Sequence, residues 1–241
     1  MRKLWFCCLL LFTACGNPSH ATAPSTPVIV NVALTPSVQQ LAEVLHSCSI
    51  AHADFVLTIN EMPASALDNQ TADLVFRLGG SPGNMYAAAI GEESIVLIVN
   101  TDNPVLSIPL EKIHDLFTGQ ITSWVDVGGE QQSVQVWVYP EGDDVRSVFD
   151  AVIFPGENLN PQAILAPNPQ AMLNAVADDP QAIGYVPRGW LVRANDVDRI
   201  RILNVDPTLA EDLRQPILAL SRTEPEGLLR QLLGCVQSAG R

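Results

Sequence analysis

The stretch VYPEGDDVRSVFDAVIF, residues 138–154, contains two adjacent carboxylates at a predicted strand-to-helix turn. Apolar residues before Pro140 are typical of a strand, and apolar residues after Asp144 have helical spacing. A carboxylate here can cap the helix and contribute about 1 kcal/mol through the free N–H groups and the helix dipole. Alternatively, Asp143 and Asp144 contact a ligand that carries a positive charge or several hydroxyls.

No other set of residues is typical of catalysis or metal binding. The sequence lacks a Ser/His/Asp or Cys/His set in a suitable context, an HExxH motif and a GxxxxGK phosphate loop. The histidines have no partner at zinc-ligand spacing: His20, His46, His52 and His114. We therefore predict no enzyme activity, no cofactor and no metal site.

The first residues, MRKLWFCCLLLFTAC, indicate export. Two basic residues precede an apolar run that is too short to span a bilayer and is typical of a secretory signal. The cysteine after Thr13-Ala14 resembles a bacterial lipoprotein cleavage box, although Phe12 stands where leucine is usual. The sequence predicts a signal peptide at 1–15 with lipidation of Cys15, and ordinary cleavage near this point is the alternative. Residues 16–26 are then a flexible tether to the membrane.

The charge composition excludes some classes of partner for the exported chain. The full sequence has 13 basic and 26 acidic residues, and loss of Arg2 and Lys3 leaves 11 basic residues and a net charge of −15. This charge argues against nucleic acid and an anionic lipid surface as partners. We expect membrane contact through the lipid anchor only, and a monomer.

Two cysteines follow the leader, Cys48 and Cys235. Thiols outside the cytoplasm often pair, so a disulfide would join the C-terminal helix to the first helix. Two buried free thiols are the alternative.

Apolar strands alternate with helices along the folded part. The predicted strands are VIVNVAL (28–34), DFVLTIN (54–60), DLVFRL (73–78), EESIVLIVN (92–100), VQVWVY (134–139), AIGYVP (182–187), IRILNV (200–205) and QPILALS (215–221). Helices are predicted after Thr35-Pro36-Ser37, at 109–117, after Asp143, at 168–180 and at 224–240. This alternation predicts an α/β fold with parallel sheets covered on both faces.

Residues 92–187 carry a specific series of motifs. A valine-rich strand leads to Asn-x-x-Asn-Pro, a helix that ends Phe117-x-Gly119, then Trp124 and a Pro-x-Ala-Ile-Gly-Tyr strand that ends at Tyr185. Their order and spacing resemble the phosphate-binding periplasmic proteins of ABC transporters. The likeness elsewhere in the chain is weaker and mostly topological.

The resemblance implies a two-lobed periplasmic-binding-protein fold of type II, in which two crossing strands form a hinge. Lobe 1 would contain residues 27–95 and 188–241, and lobe 2 residues 96–187. The ligand lies between the lobes, where strand-to-helix turns direct N–H groups and the positive ends of helix dipoles into the cleft.

The resemblance also implies three ligand-binding turns. In the first, Thr35 and Ser37 match a hydroxyl-bearing turn of the family, or are a plain helix cap. In the second, Arg77 stands where the family commonly has a serine before an aspartate, so a cation replaces polar groups. Arg77 would grip an ionised oxyanion or else face solvent. Gly80 and Ser81 follow in this turn.

The third turn is the acidic one. The family reads Arg-x-x-x-Ser-Gly-Thr-Arg-x-x-Phe, and alignment on Arg146 and Phe149 places residues 143–145 at Ser-Gly-Thr. A carboxylate about 4 Å from a phosphate would cost a few kcal/mol, which favours the capping interpretation of the two aspartates. Tyr139 takes the position of the first arginine and is the better candidate to line the cleft, whereas Trp124 and Tyr185 are expected to pack in the core.

The predicted function is an extracytoplasmic solute-binding lipoprotein that captures a small ligand, with an oxyanion among the candidates, for delivery to an ABC permease. The alternative is a degenerate relative that acts as an envelope interaction or sensing protein without a small ligand. The expected ligand-binding residues are Thr35, Ser37, Arg77, Gly80, Ser81, Tyr139, Asp143, Asp144 and Arg146.

Overall fold

The computed structural model describes residues 27–50, 55–69, 72–80, 83–192 and 197–239. The predicted signal peptide, Cys15, the whole of the predicted tether (16–26) and Ser81 lie outside these ranges. Within them, no helix combines the length and the apolar character needed to cross a bilayer.

The described chain contains the predicted strands and helices in the predicted order. The strands are β1 (Val28–Leu34), β2 (Phe55–Glu61), β3 (Leu74–Leu78), β4 (Tyr86–Asn100), β5 (Gln135–Val138), β6 (Ile164–Leu165), β7 (Ala182–Pro187), β8 (Ile200–Ile202) and β9 (Arg214–Ser221). The helices are α1 (Leu41–Ile50), α2 (Leu110–Thr118), α3 (Asp144–Ile153), α4 (Pro169–Asp178), α5 (Pro207–Asp212) and α6 (Gly227–Ala239). The short elements β6 and α5 were not predicted.

The strands form one hydrogen-bonded network in the order β2-β1-β3-β9-β4-β7-β5-β6, with β8 also paired to β4. β1 is parallel to β2 and β3, and β5 is parallel to β6 and β7. β4 is antiparallel to β7, β8 and β9, and β9 is antiparallel to β3. The network is therefore mixed, and the prediction of parallel sheets holds only for its two ends, because the strands that connect those ends run against their neighbours.

β4 is the strand that joins the two ends of the network. Residues 86–94 pair with β9, and residues 95–100 pair with β7 and β8. Residues 95–100 are all buried, as expected for a strand covered on both faces. We call the side of β1, β2, β3 and β9 lobe 1 and the side of β5, β6 and β7 lobe 2. β8 pairs with residues 98–100 of β4, and the lobe boundaries, 27–95 with 188–241 and 96–187, remain a prediction.

An aromatic cluster fills the core of lobe 2. The rings of Phe149 and Tyr185 are stacked with centroids 3.8 Å apart, and Phe117 meets Phe149 edge-on at 4.8 Å. Trp124 is also buried, and its indole N–H donates to the Gln181 carbonyl at 3.0 Å. These contacts join α2, α3 and β7, so they set the position of the start of α3.

Cys48 in α1 and Cys235 in α6 form a disulfide, with Cα atoms 5.9 Å apart and a sequence separation of 187 residues. The structure therefore contains the bridge rather than two free thiols. It joins the first helix of the described chain to the last, and both helices belong to the lobe 1 side.

Replacing both Cys48 and Cys235 with serine should lower the free energy of unfolding by about 2–5 kcal/mol, because a cross-link across a long loop restricts the unfolded chain. Urea unfolding followed by circular dichroism measures the loss. A thiol reductant should lower the wild-type midpoint and leave the double variant unchanged. A fully reduced wild-type protein with an unaltered midpoint would contradict the prediction.

Candidate functional site

Three turns from the two lobes meet at the start of α3. The first follows β1, the second ends β3, and the third precedes α3. β1 and β3 are parallel neighbours, so their carboxyl ends lie at the same edge of the sheet. The Thr35 N–H donates to the Phe76 carbonyl at 3.0 Å and ties the first turn to β3. Such an edge is where open α/β sheets bind ligands.

The Asp144 side chain crosses from α3 to lobe 1. Its Oδ2 atom accepts hydrogen bonds from Thr35 Oγ1 at 2.7 Å, Ser37 Oγ at 2.8 Å and the Leu78 N–H at 2.9 Å. We call these three donors the lobe-1 cup. The Thr35, Ser37 and Asp144 side chains are buried. A carboxylate of the chain itself therefore occupies the point where the turns converge.

Thr35 and Ser37 are more than a plain helix cap. Thr35 stands before the short 3-10 turn Pro36–Val38, yet its side chain makes no capping hydrogen bond there. The two hydroxyls lie 2.8 Å from each other and point together at Asp144. The structure thus directs both hydroxyls toward Asp144 of α3, and their ligand contacts remain a prediction.

Asp143 and Asp144 have different partners, although the sequence suggested one role for both. Asp143 is the N-cap of α3, and its Oδ1 accepts from the N–H groups of Val145 at 2.9 Å and Arg146 at 3.1 Å. Asp144 accepts from the Val145 N–H through Oδ1, at 3.0 Å, while its Oδ2 bonds lobe 1. Capping therefore describes Asp143, and Asp144 links the two lobes.

The burial of two adjacent carboxyls changes the pKa of Asp143. Burial, followed by the neighbouring Asp144 carboxylate, raises the pKa of Asp143 from 3.8 to about 7, against the opposing hydrogen bonds from Arg146 and Val145. Burial disfavours the ionised form because few water molecules remain to solvate it. The pair is thus a buried acidic turn whose charge changes near neutral pH.

Tyr139 and Arg146 do not reach the meeting point of the turns, and their ligand contacts remain a prediction. Tyr139 is fully buried, with its ring edge-on to Tyr185 at a centroid distance of 5.3 Å in the lobe 2 core. Arg146 pairs with Asp150, one turn further along α3, and donates to the Tyr139 carbonyl at 2.8 Å. Aromatic packing holds the tyrosine, and a carboxylate on the same helix face holds the arginine.

Arg77 and Gly80 lie at the rim of the site. Together with Asp144 and Gln215 they line an open depression of about 300 Å³ between β3 and α3. Arg77 is half-buried, and its Nε lies 3.4 Å from the Leu78 carbonyl, so the guanidinium folds back over its own turn. Gly80 is exposed. Ser81 falls outside the described residues.

Two glycines allow the lobes to touch on either side of Asp144. Gly142 has φ +82°, and a Cβ there would lie 2.8 Å from the Ser65 Cβ across the cleft. Gly79 has φ +69°, and a Cβ there would lie 3.0 Å from a methyl group of Val148 in α3. A larger residue at Gly142 would collide and adopt a strained backbone conformation. The cleft is therefore closed around the Asp144 carboxylate.

Sequence reasoning missed two contributors to the cup. The Leu78 N–H is a backbone group, so no side-chain motif marks it. Trp190 donates from its indole N–H to the Ser37 carbonyl at 3.2 Å and so holds the first turn in place. Only the need of a half-buried indole N–H for a partner could have pointed to Trp190. The described residues contain no group of three or more Cys, His, Asp or Glu that could hold a metal ion.

Asp143→Asn should weaken the dependence of stability on pH between about pH 4 and pH 7. The folded-state pKa of Asp143, about 7, lies above its ordinary value of 3.8. The unfolded state therefore loses this proton first as pH rises, and stability falls through the window. At about 1.4 kcal/mol per pKa unit, Asp143 accounts for at most about 4 kcal/mol of that fall.

Urea unfolding of both proteins across this pH range measures the difference. Asparagine is also a good N-cap, so the variant keeps the cap while losing the titration. Other titrating groups are common to the two proteins and cancel in the comparison. Parallel stability curves for wild type and variant would show that Asp143 titrates normally in the folded state.

Comparison with known proteins agrees with this architecture. A family model of the PBP superfamily domain matches residues 49–217. The phosphate-binding protein PstS of Bacillus subtilis (strain 168) is 27% identical over 108 residues, which span 45% of this chain and 34% of that protein. The chain thus matches about a third of the length of this relative.

Two solved structures share the fold. One is described as a phosphate ABC transporter substrate-binding protein with bound phosphate from Clostridium perfringens, with a TM-score of 0.74 at 21% identity over 86% of this chain and 92% of that chain. The other is an ABC-type phosphate transport receptor from Vibrio cholerae, with a TM-score of 0.69 at 18% identity over 88% of this chain and 95% of that chain. With its converging turns and a family match over most of its length, this chain belongs to the PBP superfamily domain family and has the two-lobed α/β fold of periplasmic binding proteins.

Proposed function

We propose that this chain is an extracytoplasmic lipoprotein that captures a small solute between its two lobes and delivers it to an ABC permease. The observation that carries the proposal is the convergence of buried donors from two lobe 1 turns on the start of α3 in lobe 2. A buried set of donors at a junction between lobes is suited to recognising a small polar group. The family match supports the same class of function.

The solute is not phosphate held in the lobe-1 cup next to Asp144. The three cup donors already bond Asp144 Oδ2. A second anion about 4 Å away would be repelled by about 4 kcal/mol at an effective dielectric constant of 20. We infer that the solute is neutral or cationic and lies against Asp144 in the depression near Arg77 and Gly80.

A second candidate function is an envelope interaction or sensing protein that binds no small solute. The closed cleft favours it, because a Cβ at Gly142 would lie 2.8 Å from Ser65 and one at Gly79 would lie 3.0 Å from Val148, while Asp144 already bonds lobe 1. In this alternative, the lobes stay closed and the outer surface carries the function.

Thermal melting against a panel of ligands separates the two candidates. The protein is first unfolded and refolded to remove carried ligand, and is then tested with polyols, cationic metabolites, phosphate and other oxyanions. A ligand at about a hundred times its dissociation constant adds about 2.7 kcal/mol of stability. We expect a shift with a polyol or a cation and none with phosphate. Melting that no ligand alters would contradict solute binding and favour the second candidate.

Cys15→Ser should release the exported protein from the membrane. Lipidation requires the cysteine thiol, so wild-type protein should sediment with membranes and carry the mass of its acyl chains, while the variant should be soluble. Fractionation and intact-mass spectrometry measure both properties. Cys8→Ser, within the apolar run of the leader, is the matched control and should keep the anchor. Equal fractionation of the Cys15→Ser variant and the wild type would contradict lipidation at this residue.

A further inference from the structure

We propose that Asp144 is a built-in ligand of the lobe-1 cup: its carboxylate takes the place of a soluble anion, and the cup binds a small carboxylate or oxyanion when Asp144 is absent or displaced. This inference deepens the proposed function by naming the ligand class of one subsite, and it rests on the cup being part of the solute site. It also explains how the cleft is closed around an acidic turn.

The cup donors are arranged for a group outside their own turns. Thr35 makes no capping bond with its side chain, and its hydroxyl points to a carboxylate 109 residues away in sequence. The Leu78 N–H ends β3 and donates to the same oxygen, over a separation of 66 residues. The cup would therefore remain a set of convergent buried donors if the Asp144 side chain were removed.

The carboxylate also bridges the lobes in the manner of a clamped ligand. One oxygen accepts all three cup donors, and the other accepts the Val145 N–H at the start of α3. The nearby cation in the helix, Arg146, is directed to Asp150 and the Tyr139 carbonyl instead. The charge of Asp144 is thus balanced by hydroxyl dipoles, backbone N–H groups and the helix N-terminus, which are the groups that would stabilise a free anion.

A soluble anion has to compete with this attached carboxylate. Asp144 is held near the cup by its place at the start of α3, where its Oδ1 accepts from the Val145 N–H at 3.0 Å. Its effective concentration at the cup is therefore high, as for the second site of any tethered ligand. The wild-type cup should for this reason bind free anions weakly, whereas removal of the tethered group should leave the donors available.

Shortening the Asp144 side chain leaves a space of known size beside the lobe-1 cup. Asp144→Gly removes the atoms of an acetate ion, and Asp144→Ala removes those of a formate ion. Acetamide has the shape of acetate without its charge. Thermal melting of the three proteins in acetate, formate, phosphate and acetamide, at constant ionic strength, therefore tests both the charge and the size of the missing group.

We expect acetate to raise the melting temperature of Asp144→Gly, and formate to raise that of Asp144→Ala, with no change in wild type. Acetamide should have little effect. Inorganic phosphate should also stabilise Asp144→Gly, since the opened cup presents hydroxyl and N–H donors to any anion of suitable size. Equal shifts in wild type and both variants, or no shift in either variant, would overturn the proposal.

A donor variant shows whether the anion binds in the cup. In the Asp144→Gly background, Thr35→Val keeps the side-chain shape and removes one donor, so the affinity for acetate should fall about tenfold, as expected for one hydrogen bond to a charged group. An unchanged affinity would place the anion elsewhere and overturn the proposal. If the glycine and alanine variants do not fold, Asp144→Asn replaces them. Its neutral amide competes with phosphate less well than the carboxylate does, so phosphate should stabilise this variant more than wild type, and equal stabilisation would overturn the proposal.

These experiments distinguish failure of the built-in-ligand proposal from failure of the proposed solute capture. If the variants gain anion binding while wild type responds to no solute, the built-in ligand stands and solute capture fails. If wild type binds a solute while the variants gain no anion affinity, solute capture stands and Asp144 is only a contact between the lobes.

Discussion

One oxygen atom makes the hydrogen bonds that join the start of α3 to the two lobe 1 turns. Asp144 Oδ2 accepts three hydrogen bonds from groups that lie 66, 107 and 109 residues away in sequence. A carboxylate removed from water is costly unless its oxygens are hydrogen-bonded, so Asp144 can be buried only where the cup meets it. The start of α3 and the first two turns therefore lie close enough for these hydrogen bonds, and Gly79 and Gly142 leave room for the approach.

The elements around Asp144 hold its hydrogen-bond donors in fixed positions. β1 and β3 are adjacent and parallel, which places Thr35 beside the end of β3, and the indole of Trp190 holds the Ser37 carbonyl from the other side. In lobe 2, the stacked rings of Phe149 and Tyr185 fix α3 to β7. β4 runs unbroken through both halves, so the turns are carried by one continuous network rather than by separate loops.

The acidic turn changes what such a cleft can hold. A turn rich in hydroxyl donors attracts an anion, whereas here Asp143 uses the N–H groups of Val145 and Arg146 for capping and Asp144 uses the donors of lobe 1. The cleft is therefore satisfied internally. One consequence is the raised pKa of Asp143, because burial and a second carboxylate both disfavour its ionised form.

Local sequence patterns determined a large part of this protein. Apolar periodicity located the main strands and helices, and the spacing of Phe117, Gly119 and Trp124 indicated the family, because these features depend on residues close together in the chain. The capping position of Asp143 is local for the same reason. The composition left Cys48 and Cys235 as the cysteines beyond the leader, and the packing of α1 against α6 decided that they are bonded.

Only the tertiary structure decided what the cleft contains. The first half of β4 was missed because residues 86–91 consist largely of alanine and end in a glycine, residue types that are depleted in strands, and they become a strand by pairing with β9. The side chains of Tyr139 and Arg146 contact groups in lobe 2, whereas the Asp144 carboxylate accepts hydrogen bonds from lobe 1. The sequence predicted the position of each residue in the turn but not the direction of its side chain. That direction depends on hydrogen-bond donors and aromatic rings that the fold brings together from distant segments.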